Sequence, residues 1–571
     1  MIKYCKAIAL VIVLTMVLGV LGGCATTTTT HAASTPQAAD NTAVTSPAAA
    51  TDSTTTAAST SGKHVLNIAK LIELQAVDPD KVNDGMSNEV LTAVFDGLYS
   101  LDAKGELQPL MAESYDKSAD GLTYTFHLRK ANWSNGDPVT ANDFVFSWRR
   151  LVTHSTAAPN SNEAVAAGIL NANEIVNGSM DPSKLGVTAK DDNTLVVQLA
   201  APVPYFLRTL IRPAFLPIDQ KYYSTVGVRY GMNPATTIYN GPFVWTSWDY
   251  ATNFSVEKNP NYWNAANISI DEINWKVVKD VQTAALLFED GKVDWTEISG
   301  DLIDKYANDA RFTKALEVHM WYFIPNFATK ALADTNIRTA LATSFDKDAI
   351  ANQVMNNGAQ AANYFVGYKL AVGPDGKQFR DSSDTYLKYD VASAQTAWQA
   401  GLKDLGVTTL TLNLLYWDDP ASIGQAEFVA SEWEKNLPGL TVNLTSMPKA
   451  AANTQAANGK FDIYLFRWGP DYPDPMAFLE LLSSTNVHDY GQYKNAAYDA
   501  IIAAARTPAM ENDISARWDS LKKAEQIILG EAGIFPTVQN GLGMLVNPKV
   551  HGMEVRNVGV TWNYRIVTMD N

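Results

Sequence analysis

The chain of 571 residues has two cysteines, Cys5 and Cys24, and both fall in its first 25 positions. That excludes a disulfide framework, CxxC zinc sites and cysteine chemistry from everything that follows. Charge is scarce as well: 18% of residues are Asp, Glu, Lys or Arg, below the roughly 25% of an average soluble protein. What charge there is leans acidic, 60 Asp and Glu against 44 Lys and Arg, for a net of −16. Such a chain has no general attraction to phosphate backbones, so nucleic acid is excluded as an expected partner. No two of the seven histidines (31, 64, 127, 154, 319, 488 and 551) stand at metal-ligand spacing. The Gly-Lys dipeptides at Gly62, Gly291, Gly376 and Gly459 all lack the Ser or Thr of a phosphate loop. Gly541 and Gly543 are followed by Val546 where a dinucleotide fingerprint needs glycine, and no GxSxG elbow occurs. No metal, cofactor or catalytic residue is therefore expected, and the chain reads as a non-enzyme.

Hydrophobic residues, in contrast, make up 46%, enough for large cores, and the length allows two to four lobes at roughly one per 150 residues. Lys3 and Lys6 precede an apolar run, Ala7–Leu21, broken only by Thr15. It is too short and too near the N-terminus for an ordinary spanning helix. It ends in Leu21-Gly22-Gly23-Cys24, which resembles a bacterial lipoprotein signal; a plain secretory signal with an incidental cysteine is the alternative. Residues 1–23 are thus expected to be a signal peptide and Cys24 the lipidated residue, with two acyl chains sufficing for stable membrane association. Residues 24–63, rich in Thr, Ala, Ser and Pro, cannot bury enough surface to offset chain entropy and read as a flexible tether. The expected location is the cell surface, on the outer face of the cytoplasmic membrane.

Beyond the tether strand and helix patterns interleave, the mark of a mixed α/β protein. Leu122–Arg129 alternates with period two, placing Leu122, Tyr124, Phe126 and Leu128 on one face. Thr140 with Asp143 forms an acidic capping box ahead of a helix over 144–151. Further strands are predicted at 194–199, 275–279 and 461–466, and helices at 281–288, 336–354 and 421–436. Aromatic residues, 10% of the chain, suit a ligand cleft and a large core equally.

Several segments carry a resemblance. Met111-Ala-Glu-Ser-Tyr115, Leu122-Thr-Tyr-Thr-Phe-His-Leu-Arg129 and Trp133-Ser-Asn-Gly-Asp-Pro-Val-Thr-Ala-Asn-Asp-Phe-Val-Phe-Ser-Trp148 come first. Asp191–Leu199 with Pro202–Phe206, Asn240–Phe243 with Trp248, Lys258–Trp263, Gly291–Asp294 and Ile337–Leu341 with Asp346 follow in order. Phe461-Asp462 with Trp468-Gly-Pro-Asp-Tyr-Pro-Asp-Pro475 completes the set. Together, from about Val65 to the C-terminus, they resemble the peptide/nickel-type (family 5) extracellular solute-binding proteins of ABC importers, the oligopeptide-binding group above all. The resemblance implies a two-lobed α/β fold of the periplasmic-binding-protein kind, the large class with an extra subdomain and a cleft between lobes. By matching positions, domain I combines 64–85, 220–321 and 537–571, domain II is 86–219 and domain III is 322–536. It implies a monomer that captures oligopeptides by main-chain pairing and delivers them to permease subunits. A dedicated receptor for one signalling peptide and a surface adhesin remain as alternatives.

Site residues follow from the same resemblance, position by position. Asp471 matches the acid that pairs with a peptide's α-ammonium, and Arg467, Trp468 and Gly469 match the strand that pairs with its backbone. Glu73, Leu74 and Gln75 match the second pairing strand, and Asn326 an asparagine near the cleft. Ser422 and Leu465 stand where relatives place basic groups for a peptide's C-terminal carboxylate, Asn160 replaces a cleft tyrosine, and Pro448 a pocket tryptophan. The carboxyl end of a ligand is thus left without its usual partners.

Overall fold

The computed structural model describes residues 62–571 other than 103–105, 251, 471, 487 and 557. The signal segment, Cys24, nearly all of the tether, and Asp471 lie outside the described residues. Residues 61–571 form one compact unit, and among the described residues no helix is long and apolar enough to cross a membrane.

Alternating sequence becomes alternating burial where expected. Tyr124, Phe126 and Leu128 are buried along the strand Thr123–Leu128, which pairs on both sides in a four-stranded antiparallel sheet with Ala112–Lys117 and Thr194–Gln198. Ala141–Val152 packs over this sheet, and the Asp143 carboxylate accepts the Thr140 N–H at 2.8 Å, so the acidic capping box forms. Helices stand at Val281–Glu289 and Pro420–Asn436, close to their predicted spans. The helix predicted over 336–354 is divided. Thr335–Thr343 ends at Ser344, and Asp346 starts a new turn at Lys347–Ala349 by accepting the Ala349 N–H, followed by a wide-turn helix Ile350–Met355. An N-capping carboxylate inside an apolar-periodic stretch outweighs the periodicity.

The second sheet is mixed and eleven-stranded. At one end lie Leu440–Met447, Leu410–Trp417 and Ile463–Trp468; at the other lie Trp295–Ile298, Val65–Lys70, Glu272–Val277, Asn253–Lys258 and Phe243–Asp249. Two long antiparallel strands, Phe312–Pro325 and Phe535–Val546, join them. Met320–Pro325 pairs with Ile463–Trp468 in one half, while Gly543–Val546 pairs with Trp295–Ile298 in the other. Each long strand therefore belongs to both halves. Their mutual pairing is interrupted between Leu316 and Met320, at the point of transfer. Two large buried clusters flank that point. One gathers Trp321, Phe323, Trp398, Trp433 and Phe478; the other gathers Trp133, Trp148, Phe206, Phe254 and Trp275.

Candidate functional site

Ionisable residues inside an apolar strand have to be accounted for, and Glu317 and His319 are two such residues, set two positions apart in the interrupted stretch. Opposite them the Phe535–Val546 strand carries amides. Gln539 donates to the Glu317 carbonyl at 2.7 Å and accepts from the Tyr364 hydroxyl at 3.1 Å. Asn540 donates to the Glu317 carboxylate at 2.5 Å and accepts the Trp321 indole N–H at 3.1 Å. A side chain thus satisfies the Glu317 carbonyl that the ladder leaves open, while the Nδ1 of His319 is buried without a hydrogen-bond partner.

A cleft of about 360 Å³ opens there. Its walls come from segments far apart in sequence: Lys70–Ile72, Glu89, Glu297, Glu317, Arg467 and Asn540–Gly543 among them. Lys70 is its buried cation, 2.9 Å from Glu89 and 3.9 Å from Glu297, with the ammonium 4.6 Å above the Trp295 ring. Tyr564 donates its hydroxyl to Glu89, and Trp275 adds an indole N–H at 3.3 Å. Loss of solvent raises the Glu297 carboxyl above its ordinary pKa; Lys70 opposes this, and Glu317 and Glu89 add to it. Arg467 lies 5.2 Å over the Trp321 ring.

Glu317 and Thr561 also line a neighbouring cavity of about 100 Å³, completed by Arg212, His319, Gly469, Pro470, Arg556, Val558 and Gly559. Burial pushes the His319 imidazole below its ordinary pKa, against Glu317 at 3.6 Å and with Arg467 and Lys449 adding to the fall. Gly469 closes on His319 so tightly that a Cβ there would overlap the imidazole.

The structure places Arg467 and Gly469 on the walls of this groove at a strand end, with Trp468 between them. Arg467 pairs with Trp321 and Trp468 with Met320 on one edge. On the other edge the strand is paired with Leu410–Trp417 only at Ile463 and Tyr464, and beyond Tyr464 no strand partner stands there among the described residues. The Trp468 indole donates to the Ala477 carbonyl at 3.1 Å. The Asp474 carboxylate takes both Arg517 Nη groups at 2.8 and 2.9 Å, fixing the proline-rich stretch after residue 471 to the helix Ile514–Gly530.

Other expected residues sit differently. Glu73, Leu74 and Gln75 follow the strand Val65–Lys70 but are not themselves in a strand. Leu74 is buried, Gln75 donates its N–H to the Ser87 hydroxyl, and Glu73 pairs with Lys279 at 2.6 Å. The lining is supplied by Lys70–Ile72, just before them. Asn326, expected near the ligand, is a structural latch. Buried at 4% exposure, it donates to the carbonyls of Phe461 at 2.9 Å and Gly459 at 3.2 Å and accepts the Ala328 N–H. It ties the end of one long strand to the start of Ile463–Trp468. Ser422 is buried in the cap of Pro420–Asn436, hydrogen-bonded to Asp419 at 2.5 Å, and Leu465 is wholly buried.

Sequence reading missed Lys70, Glu89, Glu297, Glu317, His319 and Arg556. For Glu317 and His319 a signal existed: two ionisable residues opening the apolar run Met320–Pro325. Among the described residues no group of three or more His, Cys, Asp or Glu is placed to hold a metal ion.

The chain is similar to known proteins over most of its length. Residues 106–489 match the family model described as bacterial extracellular solute-binding proteins, family 5 Middle. A dipeptide-binding protein of Lactococcus lactis is 34% identical over 511 residues, covering 86% of this chain and 92% of its own. The substrate-binding domain of an oligopeptide ABC transporter from Bacillus anthracis superposes with a TM-score of 0.76 at 34% identity, over 90% of this chain and 99% of that one. Listeria monocytogenes OppA bound to peptide gives 0.75 at 32% identity, over 90% and 100%.

Proposed function

Because the chain belongs to family 5 of the bacterial extracellular solute-binding proteins, we propose that it captures oligopeptides in the groove at its strand crossing and delivers them to the permease of an ABC importer. One observation carries this reading: the edge of Ile463–Trp468 that loses its strand partner after Tyr464 and ends at the cavity with Arg467 and Gly469. An unpaired strand edge in a groove is what an extended peptide needs to add itself by β-augmentation. Its main chain supplies affinity that does not depend on sequence, and the flanking cavities receive side chains. In this reading Arg467, Trp468 and Gly469 pair with the peptide, and Glu73–Gln75, adjoining the lining residue Ile72, offers the facing backbone. Asp471, two residues beyond Gly469, receives the α-ammonium, whose desolvation needs a paired carboxylate.

The test is a cycle of two changes, Asp471→Ala in the protein and N-acetylation of the peptide. Truncating one partner of a buried charge pair costs about 2–5 kcal/mol, a thirtyfold to several-thousandfold loss in Kd. Each change alone should show such a loss in calorimetry, and the two together little more than either, because they delete one interaction. Full additivity, or an Asp471→Ala protein that binds free peptides normally, would remove Asp471 from the site.

We propose further that Cys24 is diacylated and holds the protein at the outer face of the cytoplasmic membrane. Acyl chains bury methylenes at about 0.8 kcal/mol each, which a sparsely charged tether cannot replace. Cys24→Ser should shed protein into the medium or accumulate precursor. A mutant that fractionates with membranes after normal processing rules the anchor out.

A further inference from the structure

Among the described residues most interior arginines find acceptors, with the Nε of Arg380 left without one. Arg150 is held by Asp78 and Asp80, Arg380 by Glu525, Arg517 by Asp474 and Arg565 by Asp96. Arg338 donates to the carbonyls of Leu332, Ala333, Glu531 and Ala532. Arg556 is not matched. Its Nε and Nη2 are buried and have no hydrogen-bond acceptor, although its backbone N–H reaches the Thr561 carbonyl at 3.0 Å. The side chain lines the cavity of about 100 Å³ beside Gly469 and Pro470, and also the smaller space behind it, where Arg565 sits. Of the other charged groups there, Arg212 is engaged with Glu163 at 2.8 Å and Glu317 with Asn540 at 2.5 Å. Burial, with the Arg565 charge adding to it and Asp102 partly opposing, lowers the Arg556 pKa to about 9, so the guanidinium is still charged at neutral pH.

Two buried guanidinium nitrogens without an acceptor are a costly arrangement, and the planar fork of arginine matches a carboxylate in particular. The cavity has room for a carboxymethyl or carboxyethyl group, with Val558 and Val318 as apolar walls and His319 and Thr561 as further polar neighbours. It opens beside the strand end that the peptide reading uses. We propose that this cavity is a carboxylate subsite of the groove, and that Arg556 reads a carboxylate of the bound peptide. The inference rests on the peptide reading above and deepens it. The ligand end that lacks the usual basic partners at Ser422 and Leu465 is one source of that carboxylate; an aspartate or glutamate side chain near the peptide's amino end is the other.

Calorimetry with alanine peptides of graded length, a glutamate or glutamine scan through the best of them, and its C-terminal amide separates these sources. At one position the carboxylate form should bind wild type about ten- to a hundredfold more tightly than its neutral counterpart, the range for hydrogen bonds to a charged group. That ratio should fall to near one in Arg556→Gln and be partly kept in Arg556→Lys. A side-chain position or the C-terminal amide, whichever shows the coupling, names the source. Arg556→Gln should melt at the same or a higher temperature than wild type, since it removes an unmatched buried charge, whereas a purely structural arginine would give a lower one. Peptides that bind with the same acid-to-neutral ratios in wild type and Arg556→Gln overturn the proposal and leave the peptide reading standing. Absence of binding by every peptide to wild type overturns the peptide reading and this proposal with it.

Discussion

Lys347 is 2% exposed, and its ammonium donates to the carbonyls of Leu387 at 2.8 Å and Ala362 at 3.2 Å and lies 5.8 Å from the Phe345 ring. Burial alone lowers its pKa to about 7. In the unfolded chain a lysine titrates near 10.4. Between pH 7 and about 10 the unfolded state therefore holds a proton that the native state has released, and stability rises with pH across that window. Lys347→Met removes the difference. Stability gained between those pH values should shrink in the mutant by up to about 1.4 kcal/mol per unit of pH, read from urea midpoints. Identical pH slopes in the two proteins would show that the ammonium stays charged in its pocket. Its surroundings contrast with Arg380 and Glu525, where a bidentate pair at 2.7 and 2.8 Å is sealed at 1% side-chain exposure on each side. Glu525 also accepts the Phe365 and Val366 N–H groups, so a fully desolvated pair has every oxygen engaged.

At the scale of elements, what the sequence discloses is local. Period-two alternation found Thr123–Leu128, and Thr140 with Asp143 found the start of Ala141–Val152, because each signal lies within a few residues of what it specifies. Periodicity ran through Ser344 because the apolar spacing continues on both sides, and only the competing cap at Asp346 ends the first helix. The groove is a different case. Its walls are drawn from residues 70–72, 317–319, 467, 469–470, 540–543, 556, 558–559 and 561–562, brought together by two long strands that pair with each other in both halves of the sheet. No local pattern reports a strand that changes partners midway. The family resemblance pointed to Arg467–Gly469, which a compact motif marks and which falls at a strand end, and also to Asn326, whose amide is engaged by the Gly459 and Phe461 carbonyls and the Ala328 N–H. Asp474 was passed over for the converse reason: it stands among prolines as a turn acid does, and its partner Arg517 is 43 residues away.

For the whole molecule we propose that this topology acts as a hinge. Chain passes between the halves through Phe312–Pro325 and Phe535–Val546, and their pairing is interrupted where the cleft opens. Strands that part at an irregularity bend more readily there than along a continuous ladder. Contacts away from the hinge are available to hold the two lobes together: Tyr205 stacks on Tyr472 with ring centres 4.2 Å apart and planes 8° from parallel. A peptide touching both walls at once favours the closed arrangement by its differential contacts alone. Saturation should therefore reduce the radius of gyration in solution scattering. It should also raise the melting temperature, because binding only the closed native state stabilises it by RT ln(1 + [L]/Kd), about 2.7 kcal/mol at a hundredfold excess over Kd. Substituting Tyr205 by alanine removes a stacked pair worth about 0.5–1.5 kcal/mol beyond its buried area. That variant should start from a larger radius without peptide and close to the same radius with it. If tight binding is confirmed and the radius does not move, the two strands act as a rigid spine and the groove admits its ligand without closing.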